Sequence, residues 1–173
     1  MISTAVAPPH ITDQIDYARR AYNSWGNCVY CVMIEEEMAL GERVVSCGEH
    51  FVALCPFASK TPYEVRIYPK RHCAVFGGIR VTEIANLARI LRDVLARLSF
   101  LLNDPDYNYY IRSATTAEND VPFYHWYLAI LPKTSHYAGF ELGTGIYINT
   151  VNPELCAQEL RDVFKEHPGR NAR

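Results

Sequence analysis

The stretch from Val81 to Asn103, VTEIANLARILRDVLARLSFLLN, limits the folds open to this chain more than any other. Val81, Ile84, Leu87, Ala88, Leu91, Val94, Leu95, Leu98 and Leu102 recur at the period of an amphipathic helix. A helix of that length with one apolar face needs a flat partner, and short β-like runs flank it. RVVS (43–46), FVALC (51–55) and YEVRIY (63–68) precede it, separated by the turn material CGEH and PFASKTP, which suits an antiparallel meander. NYYIRSA (108–114), FYHWYLAIL (123–131) and GIYINTV (145–151) follow and read as further strands. Strands in runs with a long helix between them predict an α+β domain, an antiparallel sheet with the long helix packed on it.

Three more helices complete the prediction. ITDQIDYARRAYNSW (11–25) has Thr12 as N-cap and sets Ile15, Ala18 and Tyr22 on one face. CVYCVMIEEEMALGE is opened by a cysteine pair and ends at Gly41. Asn152 as N-cap and Pro153 at the first helical position start PELCAQELRDVFKEH, which His167-Pro168-Gly169 ends. The expected organisation is an extended arm over 1–10, a single domain over 11–167 and a frayed tail over 168–173. A chain of 173 residues holds one well-formed core and hardly two.

A net charge of −2 supplies no electrostatic reason for a nucleic acid or membrane partner. The longest apolar-rich stretch is broken by Arg89, Arg92, Asp93 and Arg97, so no segment is expected to span a bilayer. The start, MISTAVAPPH, lacks the basic and apolar regions of a secretory signal, which makes the cytoplasm the expected location. The six cysteines then read as thiols or metal ligands rather than disulfides.

Cys28-Val-Tyr-Cys31 has the C-x2-C spacing that lets two thiolates share one tetrahedral ion. The missing ligands must come from elsewhere in the chain. His50, His72, Cys73 and His125 are the candidates, and local spacing does not choose among them.

Five motifs, in order, carry a resemblance. CVYC, EHFVALCPFASKTPYEVRIYPKRH, DPDYNYYI, FYHW, and AGFELGTGIYIN followed by PE resemble the galactose-1-phosphate uridylyltransferases. The likeness spans about residues 27–163 and is to the carboxy-terminal half of those two-lobed enzymes, each lobe of which is a histidine-triad (HIT) domain. It implies a HIT-like fold. It also implies a structural Zn2+ held by Cys28, Cys31, His72 of the P-K-x-H turn and His125 of the active-site strand, leaving His50 and Cys73 as second choices. HIT domains usually pair, so the resemblance also implies a homodimer.

In active HIT enzymes the strand reads His-x-His-x-His or Gln, and the middle histidine attacks the α-phosphorus of a nucleotide to form a covalent intermediate. The corresponding row here is His125, Tyr127 and Ala129, which alternation sets on one side of a strand. The nucleophile position is therefore Tyr127. A phenol of pKa about 10 needs a cation or base beside it to act there. Three readings follow: a nucleotide or sugar-phosphate binding module or partner subunit, a tyrosine nucleophile, or a scaffold turned to other chemistry on a nucleotide-linked substrate.

The resemblance further implies that AGFELGTG is a sugar-contacting loop, with Tyr137, Phe140, Glu141 and Asn149 as substrate residues, joined by Asn108 of DPDYNYYI. The implied partner is a small nucleotide, nucleotide sugar or sugar phosphate. Lys60, Arg66, Lys70, Arg71 and Arg112 are candidate phosphate cations, each otherwise expected as a plain surface charge.

Overall fold

In the computed structural model, residues 8–114, 121–134 and 138–165 are described. Helix α1 (Pro9–Trp25) begins earlier than predicted, with Pro8 at its N-cap and Thr12 inside it. Proline suits that start, since its missing N–H would be unpaired there anyway and its fixed φ is helical. Pro9 and His10 thus belong to the helix rather than to an arm. Gly26 ends it at φ +76°, a left-handed conformation glycine adopts without strain, and donates its N–H to Tyr22 O at 2.7 Å. Helix α2 (Val29–Leu40) follows at once and stops at Gly41, as the sequence predicts.

The sheet has five strands: β1 (Val44–Cys47), β2 (Phe51–Leu54), β3 (Val65–Pro69), β4 (Tyr107–Arg112) and β5 (Tyr127–Pro132). Every neighbouring pair is antiparallel, and the spatial order is β1-β2-β3-β5-β4. The meander runs through β3, helix α3 (Val81–Leu101) crosses over, β4 takes the far edge, and β5 returns to fill the gap beside β3. A short helix α4 (Gly139–Thr144) and the closing helix α5 (Pro153–Asp162) follow. Asn152 caps α5 as predicted, its Oδ1 accepting the N–H of Glu154 at 3.2 Å. No helix among the described residues is long and apolar enough to cross a membrane.

Two expectations fail here. Residues 145–151 form no strand, although they alternate. Ile146, Tyr147 and Ile148 stay exposed, and side chains take up the backbone groups a ladder would use: Ile146 N donates to Thr144 Oγ1 and Val151 N to Asn149 Oδ1, both at 3.1 Å. The strand drawn over 123–131 begins only at Tyr127, and the residues before it reach across to the β3–α3 turn, where Trp126 N donates to Cys73 O at 2.9 Å.

The sheet separates two cores. On one face Phe51, Ala53, Val65, Ile67, Leu128 and Ile130 meet Ile90, Val94 and Leu98 of α3 and Cys156, Ala157 and Leu160 of α5. The long helix covers the sheet as expected, but its buried line is Glu83, Asn86, Ile90, Val94 and Leu98, while Val81, Ile84 and Ala88 of the predicted stripe are exposed. Burying each aliphatic side chain on that line contributes roughly 1.5–3 kcal/mol. On the other face Val52, Leu54, Tyr68, Tyr127 and Ala129 pack with Ile34 and the half-buried Tyr30 and Met33 of α2. This second face carries Tyr127 and Ala129.

Candidate metal centre and the altered histidine row

The cysteine knuckle sits where α2 begins. Cys28 is the N-cap and Cys31 lies in the first turn, so the free N–H groups and positive end of the helix dipole favour thiolate there. His72 comes from the turn after β3, and His125 from the segment leading into β5. One ligand atom from each of Cys28, Cys31, His72 and His125 falls within 4.8 Å of all the others. Cys31 Sγ lies 3.3 Å from His72 Nδ1 and 3.6 Å from His125 Nδ1. A tetrahedral zinc with Zn–S of about 2.3 Å and Zn–N of about 2.0 Å has S···N edges of about 3.5 Å.

The far side of each imidazole is already committed. His125 Nε2 is 2.8 Å from Pro69 O and His72 Nε2 is 3.1 Å from Val121 O. Each carbonyl holds the ring proton on Nε2, which leaves the Nδ1 lone pair facing the sulfurs. This donor set fits a four-coordinate soft or borderline cation. The Cys28 thiol is drawn far down, first by the bond from Cys31 and then by the two imidazoles, while the same contact pushes Cys31 up. His72 is raised, chiefly by its bond to Cys28. Neither second-choice ligand joins the group: His50 Nε2 lies 3.7 Å from Glu49 Oε1, and Cys73 Sγ donates to Val75 O at 3.2 Å.

Register places Tyr127 and Ala129 at the middle of a row of side chains. Ala129 stands between Arg66 of β3 and Tyr110 of β4, and Tyr127 stands opposite Arg112. Tyr127 is only 2% exposed. Its ring lies 5.2 Å from that of Tyr68, 6.4 Å from Tyr30 and 6.5 Å from Tyr110, and its hydroxyl accepts from Gln14 Nε2 at 3.3 Å. The same Gln14 nitrogen reaches Tyr30 Oη at 3.0 Å.

Arg66 departs from the plain surface charge the sequence suggested. Its side chain is 17% exposed, its Cζ sits 5.2 Å from the Tyr127 ring centre, and its Nη2 is 2.7 Å from Glu64, a fully buried carboxylate. Glu64 also accepts from Lys60 N at 2.7 Å, so the buried pair is charge-balanced and hydrogen-bonded. Arg71 is likewise bound, forming two 3.0 Å contacts to the buried Glu83, which in turn accepts from Arg80 N at 2.8 Å at the start of α3. Arg112 stacks on Tyr110 with its Cζ 5.0 Å from the ring centre, and Lys60 Nζ lies 4.9 Å from that of Tyr147. Lys70 is half-buried, and its backbone N–H donates to His50 O at 2.8 Å.

The substrate residues drawn from the sugar-loop motif are less concentrated. Asn108 is exposed on β4, opposite Leu131 and two pairs along from Ala129. Phe140 is 51% exposed on α4. Glu141 turns back to cap that helix, its Oε2 accepting from Ala138 N at 3.0 Å. Asn149 is spent on the backbone, donating to Ser59 O at 3.4 Å and accepting from Val151 N. Tyr137 lies outside the described residues. Nothing in the sequence singles out Gln14 or Glu64. Glu64 shares strand parity with Arg66 and Tyr68, a signal that marks one face without saying whether it is wet.

No family model matches the chain. The ADP-glucose phosphorylase of Arabidopsis thaliana is 34% identical over 165 residues, covering 94% of this chain and 46% of that protein. The galactose-1-phosphate uridylyltransferase of Thermotoga maritima is 35% identical over 168 residues, covering 92% of this chain and 52% of its own length. The crystal structure of the Arabidopsis enzyme with bound ADP-glucose superposes with a TM-score of 0.79 over 91% of this chain and 50% of that one. A uridylyltransferase structure, 27% identical, superposes with a TM-score of 0.85 over 94% of this chain and 52% of that one. The fold alone is shared with a Zn-bound histidine triad family protein from Mycobacterium smegmatis, 17% identical, with a TM-score of 0.54 over 80% of this chain and 94% of that one. The chain spans about half the length of the curated relatives it matches. On this likeness in sequence and fold, the chain belongs to the galactose-1-phosphate uridylyltransferase family and has the histidine-triad fold.

Proposed function

We propose that this protein is a zinc-containing member of the family that binds a nucleotide sugar or sugar phosphate without passing a nucleotidyl group through the usual covalent intermediate. The burial of Tyr127 carries this reading. A nucleophile must reach the phosphorus, and at 2% exposure, enclosed by Tyr30, Tyr68 and Tyr110, the phenol packs rather than attacks. Ala129 offers no polar group to help it. The ADP-glucose held by the Arabidopsis relative supports a nucleotide sugar as the ligand class. Asn108 and Phe140, both exposed, are the side chains we assign to that ligand, with Glu141 and Asn149 shaping the loop through their bonds to backbone groups.

The zinc, when bound by Cys28, Cys31, His72 and His125, has its four positions filled by protein and supplies cross-linking rather than Lewis-acid chemistry. These residues tie the start of α2 to the β3 turn and to the segment entering β5, and so hold α2 over the row. A homodimer, the usual assembly of the fold, is part of the same reading, with each chain completing the other's ligand site.

The test is a titration of the purified protein with ADP-glucose, UDP-sugars, UMP and AMP, followed by calorimetry and intact mass. Saturable binding with no adduct and no product is expected. A nucleotidyl adduct that disappears in Tyr127→Phe overturns the reading in favour of a tyrosine nucleophile, and turnover that survives that substitution points to repurposed chemistry.

A further inference from the structure

The four candidate ligands are not equally reachable. A cleft of about 410 Å3 opens from solvent onto the centre between the end of α1 and the start of α2. Tyr22, Asn27, Glu35 and Pro122 wall it, and Cys28, Cys31 and His72 line its floor. His125 does not line it and is wholly buried. Gly26, where α1 ends, also lines the cleft, with nothing within 4 Å of where a Cβ would stand. An ion bound by all four residues therefore meets Cys31 and His72 early and His125 last.

Glu35 is placed at the mouth of this path. It follows Cys31 by one helical turn, so the two side chains project from the same side of α2. It is exposed, and among the described residues its carboxylate forms no hydrogen bond or ion pair. The chemistry at the mouth is thus one free carboxylate in front of two sulfurs.

We propose that Glu35 is the capture residue for the metal, the first protein ligand a hydrated divalent cation meets on its way to the four-residue centre. The inference rests on the metal reading above. The carboxylate takes the ion from water through oxygen, to which hydrated cations bind readily and reversibly. Cys31 and His72 then displace waters, and Cys28 and His125 close the shell. The thiol protons leave to solvent as the sulfurs bind. Glu35 is not a ligand of the finished site. It lowers the barrier in both directions, since release follows the same path backwards, and leaves the equilibrium unchanged.

Cobalt(II) is the probe, because thiolate-to-cobalt absorption reports its arrival at sulfur. Uptake by metal-stripped protein is timed by stopped flow at low ionic strength. Release from the loaded protein is timed against chelator in the range where the rate no longer depends on chelator concentration, so that one measurement uses folded, loaded protein throughout. Glu35→Gln is expected to slow both by about tenfold, the lower end of what a focused local charge does to an on-rate. Final absorbance, stoichiometry and dissociation constant stay as in the wild type. Glu36→Gln, the same charge change outside the cleft, leaves both rates unchanged. Equal rates in Glu35→Gln and wild type overturn the inference, as does a weaker dissociation constant arising from faster release alone, which marks an ordinary structural role. Failure of the wild type to take up cobalt removes the metal reading and the capture role with it.

Discussion

His125 Nε2 lies 2.8 Å from the carbonyl of Pro69, the last residue of β3, and this bond turns the ring so that Nδ1 faces Cys31 Sγ at 3.6 Å. One backbone carbonyl thereby sets both the tautomer and the aim of a buried imidazole. The strand pairing that brings β5 beside β3 also brings His125 to Pro69.

The first prediction concerns this centre. Purified protein should carry about one zinc per chain by elemental analysis, and Cys31→Ser should lose it. With metal binding linked to folding, the loss should cost about 3 kcal/mol or more and lower the unfolding midpoint by roughly 6–12 °C. Because protons compete with the ion for sulfur and imidazole, zinc affinity should fall as pH is lowered. A variant that keeps both metal and midpoint would place the ion elsewhere.

Tyr127→Phe removes a hydroxyl whose bond to Gln14 is 3.3 Å long, so chemical denaturation should show a change within about 1 kcal/mol. Ligand affinity and intact mass after incubation with nucleotides should be unaltered. Tyr127→Ala, by contrast, opens a cavity against Tyr68 and should cost about 3–5 kcal/mol. Equal behaviour of the two variants would mean that the ring is not packed as described.

Glu64→Gln strands the Arg66 guanidinium without its counter-charge beneath the row. Breaking a buried pair in this way costs about 3–5 kcal/mol, whereas replacing both members with apolar side chains, as in Glu64→Leu with Arg66→Met, should recover most of that. Urea midpoints of the single and double variants decide it.

Arg71 lowers the Glu83 carboxyl below the usual range, helped by the Arg80 N–H. A carboxyl whose folded pKa is depressed stabilises the native state above its unfolded value and loses that contribution as pH falls through the folded one. Stability should therefore drop on acidification below about pH 4.3. Arg71→Met should remove about 1 kcal/mol at neutral pH and flatten the acid limb, because Arg71 is partly exposed and screened. An unchanged acid limb would assign it to other carboxylates.

For the ligand itself, Phe140→Ala should weaken ADP-glucose binding by about tenfold, in line with roughly 1–2 kcal/mol for a truncated contact aromatic. Its exposure predicts no shift in the unfolding midpoint. Unaltered affinity would move the binding site off α4.

The sequence by itself determined the elements whose causes are local. The stripe from Val81 to Leu102 is a helix because its period is 3.6, Gly41 stops α2 because it accepts φ +72°, and Asn152 caps α5 through its own side chain. Motif order was enough to recognise the fold and the family. Tertiary structure decided what depends on neighbours distant in the chain. Residues 145–151 alternate like a strand but have no ladder, because Thr144 and Asn149 take up their backbone groups. Arg66 looked like a surface charge, and only the packing of α2 over the sheet, with Glu64 buried beside it, shows it under Tyr127. His72 and His125 are 53 positions apart in sequence, with ring centres 5.5 Å apart in space. Period, caps and turns are short-range and can be read along the chain. Burial, charge pairing and ligand geometry are set by which surfaces meet, and that is decided when the β5 segment closes against β3.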